Sequence, residues 1–200
     1  MGRHLKEAQE HLSSVCEVMA TLIPRHTPPD ISPKAPEQYF SVLVSSILGQ
    51  QLSVKAAETI EGRLVRALGP HDPEVLANAT IEELREHGLS RSKASYVIGM
   101  AEAFRGGEID PHELARADTE SVIQQLTSLK GIGPWTAEMF LIFGMGHPDV
   151  WSPGDLGLRN AVWAHFGENT SVSEIAQRWR PFRSYAALYL WEFSDNKPKV

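Results

Sequence analysis

A glycine-containing turn and the carboxylate that ends the loop after it are the residues best suited to chemistry. The turn, Gly131-Ile132-Gly133, lies between two apolar segments, the second of which opens at Pro134. Two glycines let the backbone turn tightly close to a ligand, and proline suits the first position of a helix. Because N–H groups at a helix N-terminus favour an anion, the turn is predicted to hold a phosphate. Asp155, further along, could stabilise cationic sugar character or activate water.

Asp155 also has a structural interpretation, because it follows Pro153-Gly154 and precedes a helical segment. An aspartate at that place is typical of a helix N-cap, which needs no ligand. Trp151 favours the chemical interpretation, since the loop has no other evident reason to carry a large aromatic side chain. Both roles of Asp155 stay open at this level.

Two further groups of residues could interact with a nucleic-acid base that is extruded from its base stack. Trp135 and Trp191 are flat surfaces on which such a base could stack, or they are core residues. The polar break Gln50-Gln51-Leu52 separates two apolar segments. Its side chains could satisfy backbone groups of the turn or fill the space that the base vacates.

A second phosphate contact is predicted where Ser90 caps a helix that carries Arg91 and Lys93 in its first turn. The helix dipole disfavours cations at that end, so an external anion would explain them. A solvated helix start is the alternative.

The composition is that of an ordinary globular protein, with 42% hydrophobic and 22% charged residues. The formal net charge of -6 does not indicate a nucleic-acid-binding protein, although it is compatible with a local basic face. Cys16, the only cysteine, excludes an internal disulfide and a zinc or iron–sulfur site built on several cysteines. Without a long apolar run or a signal-peptide core, we expect neither membrane association nor secretion.

The apolar spacing predicts an all-α protein of about ten helices. The predicted helices span residues 4–22, 37–48, 53–68, 80–87, 90–104, 155–166, 173–179 and 181–193, with further helix starts at 110 and 118. The proline-rich connector from Pro24 to Pro36 is predicted to be an extended surface loop. Tyr39 to Val44 is the one segment that is ambiguous between helix and strand.

These motifs together resemble a known family. L-K-G-I-G-P-W-T-A followed by S-P-G-D-L-G-L-R is similar to the helix–hairpin–helix DNA glycosylases, most of all to their 3-methyladenine DNA glycosylase II branch. S-I-L-G-Q-Q-L-S, G-L-S-R-S-K-A and R-P-F-R-S-Y-A-A-L-Y-L-W follow the family's order, and the resemblance runs from about Tyr39 to Phe193. It implies an all-α fold of two subdomains with the active-site cleft between them.

The resemblance also implies an organisation and a partner. A single glycosylase domain would cover residues 1–200, with a helical subdomain mainly at 36–117 and a hairpin subdomain at 118–165. The terminal segments 1–35 and 166–200 would pack on the hairpin subdomain. The expected partner is double-stranded DNA that contains alkylated bases, bound by a monomer in the cytoplasm of a prokaryote or the nucleus of a eukaryote.

Carried over residue by residue, the resemblance assigns roles to named positions. Asp155 takes the place of the catalytic aspartate. The DNA-binding hairpin is assigned to Lys130, Gly131, Ile132, Gly133 and Thr136. The base pocket is assigned to Trp135, Met139 and Trp191. The duplex-plugging loop is assigned to Gln50, Gln51 and Leu52, with Gln51 as first choice. A structural Na⁺ or K⁺ could be bound by the backbone carbonyls of Leu129 and Ile132, but no cofactor is required.

Departures from the family pattern refine the expected chemistry. Trp135 stands where strand-cleaving members carry a lysine, so no amine is placed to form a Schiff base and a monofunctional enzyme is implied. The cysteine cluster of the iron–sulfur branches is absent. Gly154 replaces a second acid of some relatives, and Met139 replaces an aromatic residue.

The resemblance therefore implies hydrolytic removal of 3-methyladenine, 7-methylguanine and similar N-alkylpurines in base excision repair. Two alternatives stay open. One is a glycosylase for uracil, mismatched thymine or an oxidised purine, and the other is a non-catalytic module that binds damaged DNA.

Overall fold

The computed structural model describes residues 4–29 and 31–194, which form helices and no strand. In chain order the helices are α1 (Leu5–Val15), α2 (Glu17–Leu22), α3 (Tyr39–Gly49), α4 (Val54–Leu68), α5 (Pro73–Ala77), α6 (Ile81–Glu86), α7 (Arg91–Arg105), α8 (Pro111–Leu114), α9 (Thr119–Thr127), α10 (Pro134–Phe143), α11 (Leu156–Phe166), α12 (Val172–Gln177) and α13 (Arg183–Ser194). The all-α prediction is confirmed, although the described residues hold thirteen α-helices rather than about ten. Within the same residues, no helix is both long and apolar enough to cross a bilayer.

The single helix predicted over residues 4–22 is wrong, because the chain breaks at Cys16. This residue has an extended backbone, with φ of -153° and ψ of 114°, between α1 and α2. Leu12 and Met19, on either side of the break, are both fully buried. Apolar spacing reports which residues face the core, so it continues across a break in the backbone and does not reveal it.

The proline-rich connector is less extended and less superficial than predicted. Ile23–Arg25 and Pro36–Gln38 form short 3-10 turns, each with a proline in its first two positions, where proline is tolerated. Ile31 is buried, and its carbonyl oxygen lies 2.4 Å from the position that a Cβ on Gly146 would occupy. The connector therefore packs closely against the backbone at Gly146.

The ambiguity between helix and strand at Tyr39 to Val44 is resolved by α3. Eight of the eleven residues in this helix are buried, so the helix presents core-facing side chains on almost every side. Such a helix reads as a continuous apolar run, which periodicity alone does not distinguish from a buried strand. Helix α5 escaped prediction because its five residues are too few to show a period.

Side-chain caps set most helix starts. Thr80 and Glu83 form the predicted capping box of α6, and Ser90 accepts the Lys93 N–H at the start of α7. Helix α12 begins at Val172, one residue before the predicted start at residue 173, because Ser171 supplies the cap by accepting the Glu174 N–H. The start of such a helix is thus fixed by the capping residue just before it.

The described residues divide into two compact units. One consists of residues 4–29, 31–33 and 141–194, and the other of residues 34–140. The core of the first includes Leu12, Trp179 and Tyr189, and the core of the second includes Ile47 and Leu84. The subdivision at residues 117 and 118 that the sequence implied stays a prediction.

A polar cluster joins α3 and α4 to the segment after α4, within the second unit. Nε2 of His71 lies 3.1 Å from Oε1 of Glu61, and the Ser45 hydroxyl donates to the same oxygen. The His71 side chain is only 3% exposed. The hydrogen bond from His71 and then that from Ser45 hold the pKa of Glu61 below its ordinary value, while burial acts in the opposite direction.

Glu61→Gln should therefore lower the free energy of unfolding at pH 7 by about 1 kcal/mol, since hydrogen bonds to a half-exposed charge are weaker than buried ones. A carboxyl whose pKa is lowered by folding stabilises the protein above its unfolded-state pKa, near 4.5, and loses that effect as the pH falls through the folded-state value. Urea unfolding of wild type and Glu61→Gln at pH 7 and pH 3.5 should show a smaller difference at the lower pH. An equal difference at both would contradict the assignment.

Candidate functional site

The predicted turn between two helices is present. Helix α9 ends at Thr127, and α10 begins at Pro134. Gly131 has φ of +95°, the Ile132 N–H donates to the Leu129 carbonyl at 3.1 Å, and the Ala137 N–H donates to the Gly133 carbonyl at 3.1 Å. The chain therefore makes a hydrogen-bonded turn that leads directly into the N-terminus of α10.

The two glycines of this turn serve different purposes. Gly131 is required by the fold, because its φ is in the left-handed region and an added Cβ would lie 2.3 Å from ring atoms of Tyr96. Gly133 has no such requirement, since a Cβ there would meet no atom within 4 Å, and the residue is exposed. A glycine that the fold does not need is consistent with close approach of a ligand to the backbone.

The three residues of the polar break differ in their contacts and their exposure. Nε2 of Gln50 donates to the Gly131 carbonyl at 3.0 Å and lies 3.5 Å from the Thr136 hydroxyl. Gln51 is exposed and has φ of +58°, while Leu52 is half-buried. Gln50 thus ties the break to the turn, and Gln51 stays our first choice for the plugging side chain.

The predicted second phosphate contact has partners within the protein. Arg91 forms a surface ion pair with Glu82 at 3.0 Å. Nζ of Lys93 donates to the carbonyls of Leu48 at 2.7 Å and Gln50 at 2.6 Å, at the C-terminal end of α3. Burial lowers the pKa of Lys93. These carbonyls explain why a lysine occupies the first turn of α7 without invoking an external anion, and phosphate binding by Ser90, Arg91 and Lys93 stays a prediction.

A groove of ≈ 570 Å³ brings these segments together within residues 34–140. It is lined by side chains and backbone of the break, of α7 and of the turn, among them Gln51, Ser92, Tyr96, Gly131 and Gly133. Ser92 and Tyr96 were not assigned a role from sequence. The available signal was their spacing, because residues four apart on a helix lie on the same face.

Asp155 caps α11, as its structural interpretation predicted. Its Oδ1 accepts the Leu158 N–H at 2.7 Å. The same oxygen accepts the indole N–H of Trp191 at 3.1 Å, and Asp155 is only 8% exposed. Trp191 is itself buried and stacks against Phe143 with a ring separation of 6.3 Å. The second donor is not needed for capping, and it fixes the orientation of the carboxylate.

The loop that leads to Asp155 is held by the start of α13. Arg183 binds both carboxylate oxygens of Asp149, at 2.7 and 3.1 Å, and also the Asp149 carbonyl. The buried Ser184 hydroxyl donates to the His147 carbonyl at 2.7 Å and accepts the Val150 N–H at 2.9 Å. Sequence reasoning missed these supporting residues, and the signal for them was the R-P-F-R-S-Y segment, which the resemblance used only as a match.

Trp151 has a packing role that the sequence did not reveal. It is 8% exposed, and its ring meets that of Trp179 edge-on with a centroid separation of 5.3 Å. The inference that the loop has no structural reason for an aromatic residue is therefore wrong, because Trp151 anchors the loop in the core.

The three residues assigned to the base pocket differ in exposure. Trp135, at the start of α10, is half-buried, whereas Met139 and Trp191 have 0% and 1% of their surface exposed. Of the three, Trp135 has the surface that a base could stack on. The pocket assignment itself stays a prediction.

The turn is compatible with the predicted monovalent cation. The Leu129 carbonyl accepts one hydrogen bond, from Ile132, and a carbonyl oxygen has two lone pairs. The ion stays a prediction. Among residues 4–29 and 31–194, no three His, Cys, Asp or Glu side chains cluster as ligands of another metal would.

Comparison with known proteins places this geometry in a family. Residues 44–183 match the family described as "HhH-GPD superfamily base excision DNA repair protein". The "DNA-3-methyladenine glycosylase 1" of Schizosaccharomyces pombe is 33% identical over 201 residues, which cover 95% of this chain and 88% of that protein. The "Putative DNA-3-methyladenine glycosylase YfjP" of Bacillus subtilis is 32% identical over 76% of this chain, which spans only 58% of that protein's length.

A solved structure agrees in fold. The 3-methyladenine DNA glycosylase Mag1 of Schizosaccharomyces pombe, in complex with abasic DNA, matches with a TM-score of 0.82 at 32% identity. The match covers 94% of this chain and 97% of that chain. The family resemblance and the helix–hairpin–helix glycosylase fold are thereby confirmed. The chain belongs to the HhH-GPD superfamily of base excision DNA repair proteins.

Proposed function

We propose that this protein is a monofunctional DNA glycosylase that releases alkylated bases from duplex DNA by hydrolysis and leaves an abasic site. The substrates are N-alkylpurines such as 3-methyladenine and 7-methylguanine. The observation that carries the proposal is the carboxylate of Asp155, largely buried and held by two donors on one oxygen. The relatives that bear the name DNA-3-methyladenine glycosylase support the substrate class.

The fixed carboxylate suits a reaction in which positive charge develops on a sugar. Loss of a base leaves an oxocarbenium-like deoxyribose, and a preoriented negative charge stabilises it without reorganising during the reaction. The same carboxylate could instead accept a proton from the attacking water. Both roles require a carboxylate in a defined orientation, and the bonds from Leu158 and Trp191 provide that orientation.

An N-alkylated purine that carries positive charge departs without being protonated. A general acid is therefore not required, and Asp155 is the one carboxylate that the proposal needs. Trp135 would add cation–π attraction of about 0.5–2 kcal/mol by stacking on the charged base. Since a tryptophan stands at this position where strand-cleaving relatives have a lysine, no Schiff base forms and the strand stays intact.

The turn before α10 supplies the proposed grip on DNA. Gly133 is exposed and leaves room for a phosphate beside the helix N-terminus, and Lys130 is exposed next to Gly131. A Na⁺ or K⁺ on the carbonyls of Leu129 and Ile132 would strengthen the attraction to phosphate. Gln51, exposed on the loop that Gln50 ties to this turn, would occupy the space left by the flipped base.

Asp155→Asn should abolish base release while preserving the fold and DNA binding. Asparagine caps a helix about as well as aspartate and its Oδ1 can accept both hydrogen bonds, so the change removes mainly the negative charge. We expect single-turnover release of 7-methylguanine to fall by at least about 10²-fold. The measurement uses saturating enzyme and a duplex with one lesion, with affinity for an abasic duplex as the control. Release at a near-wild-type rate would refute the catalytic role of Asp155.

Trp191→Phe should slow base release about tenfold, because it removes the indole donor to Asp155 but keeps an aromatic ring beside Phe143. Trp163→Phe is the matched control, since Trp163 donates its indole N–H to the Thr170 carbonyl in the same unit. Rates at saturating enzyme should fall only in the first variant. Equal effects of the two changes would mean that Trp191 contributes through packing alone.

Gly131→Ala and Gly133→Ala should separate folding from DNA binding. Alanine at 131 would be strained and would clash with Tyr96, so the free energy of unfolding should fall by at least about 1–2 kcal/mol. Alanine at 133 meets no protein atom within 4 Å and should leave stability unchanged, while it weakens DNA binding about tenfold by obstructing a phosphate. Urea unfolding and fluorescence anisotropy provide the two readouts. Wild-type affinity in Gly133→Ala would exclude a phosphate at this position.

A further inference from the structure

The loop formed by residues 49–53 is held in place mainly by polar contacts. It is flanked by a cavity of ≈ 220 Å³, whose lining includes Leu48, Leu52, Ile60 and Leu89. Gln51, at its centre, has a left-handed backbone with φ of +58°, a conformation that non-glycine residues rarely adopt. A strained loop beside a cavity keeps one conformation only if other contacts fix it.

Lys93 provides the first such contact. Its ammonium group donates to the Leu48 carbonyl at 2.7 Å and to the Gln50 carbonyl at 2.6 Å. Both carbonyls belong to the C-terminal end of α3, where carbonyls lack partners within the helix and the dipole favours a positive charge. Charge-assisted bonds of this length are among the stronger ones in proteins. Lys93 therefore fixes the backbone on the N-terminal side of Gln51.

Gln50 provides the second contact. Its side-chain amide donates to the Gly131 carbonyl at 3.0 Å. A backbone carbonyl can only accept, so the amide nitrogen must face it. The chain of bonds from Lys93 through Gln50 to Gly131 thus joins α7, loop 49–53 and the turn before α10, all within residues 34–140.

We propose that Lys93 is a positioning residue that holds loop 49–53 in the conformation needed to plug the duplex, and not a phosphate contact. This inference rests on the proposed function. The ammonium group exerts its effect through the Leu48 and Gln50 carbonyls, and Gln51 is the side chain that it positions. Lys93 on α7 therefore affects base flipping rather than the electrostatic attraction between the protein and DNA.

Two roles for Lys93 predict different results for Lys93→Met, which keeps the length of the side chain but has no donor. Loss of a phosphate contact would reduce the slope of log K against log salt concentration by about 0.9. Loss of a positioning residue would leave that slope unchanged. It would instead increase hydrogen exchange in residues 49–53 and, at saturating enzyme, reduce extrusion of the lesion and its release.

The experiment measures these quantities in wild type and in four variants, namely Lys93→Met, Lys93→Arg, Lys6→Met and Gln50→Glu. Hydrogen exchange of the peptide over loop 49–53 is followed without DNA, and the salt slope is measured on an abasic duplex. A 2-aminopurine beside the lesion reports extrusion, and release is measured under single-turnover conditions. Lys6→Met is the control for loss of one positive charge, because the Lys6 side chain is 86% exposed in an ion pair on α1. Lys93→Arg tests rescue by a side chain that keeps N–H donors.

We expect Lys93→Met to increase loop exchange and to slow release about tenfold with an unchanged salt slope, and Lys93→Arg to restore much of the loss. Gln50→Glu, which turns an acceptor towards the Gly131 carbonyl, should loosen the same loop, and it tests the chain of bonds should Lys93→Met not fold. A salt slope reduced by about 0.9 together with wild-type loop exchange would overturn the inference. If wild type released no base, the proposed function would fail, while hydrogen exchange would still test the role of Lys93.

Discussion

The Oδ1 atom of Asp155 receives two hydrogen bonds, and the proposed chemistry depends on this arrangement. A carboxylate with little exposure is stable only if its charge is satisfied, and here the Leu158 N–H and the Trp191 indole do so. The same bonds limit the rotation of the side chain. The same carboxylate oxygen therefore caps α11 and is oriented for its proposed catalytic role, with α11 and α13 each contributing one donor.

Much of the surrounding structure can be understood as support for that carboxylate. Arg183 and Ser184 fix the loop ahead of it through Asp149, His147 and Val150. The edge-on contact between the rings of Trp151 and Trp179 anchors the same loop in the core. Catalytic precision of this kind requires supporting side chains that are themselves packed and hydrogen-bonded. In residues 34–140, Gln50 and Lys93 act comparably on the loop that carries Gln51.

The sequence was most informative where local rules determine the structure. The caps at Thr80, Ser90 and Asp155, and the turn at Gly131, depend on neighbours within a few residues, and all were predicted. The family resemblance added the expected role of Asp155, which spacing alone left open.

Long-range contacts explain what could not be predicted. Lys93 finds its acceptors 45 and 43 residues away, at Leu48 and Gln50, so its sequence context suggested a phosphate instead. Trp151 meets Trp179 across the core, and the extended backbone of Cys16 interrupts an apolar pattern that continues past it. A protein that expels only bases able to leave without protonation should discriminate between two lesions at the same position of a duplex. In single-turnover assays we expect release of 7-methylguanine and none of uracil, and release of uracil at an equal or greater rate would refute this chemistry.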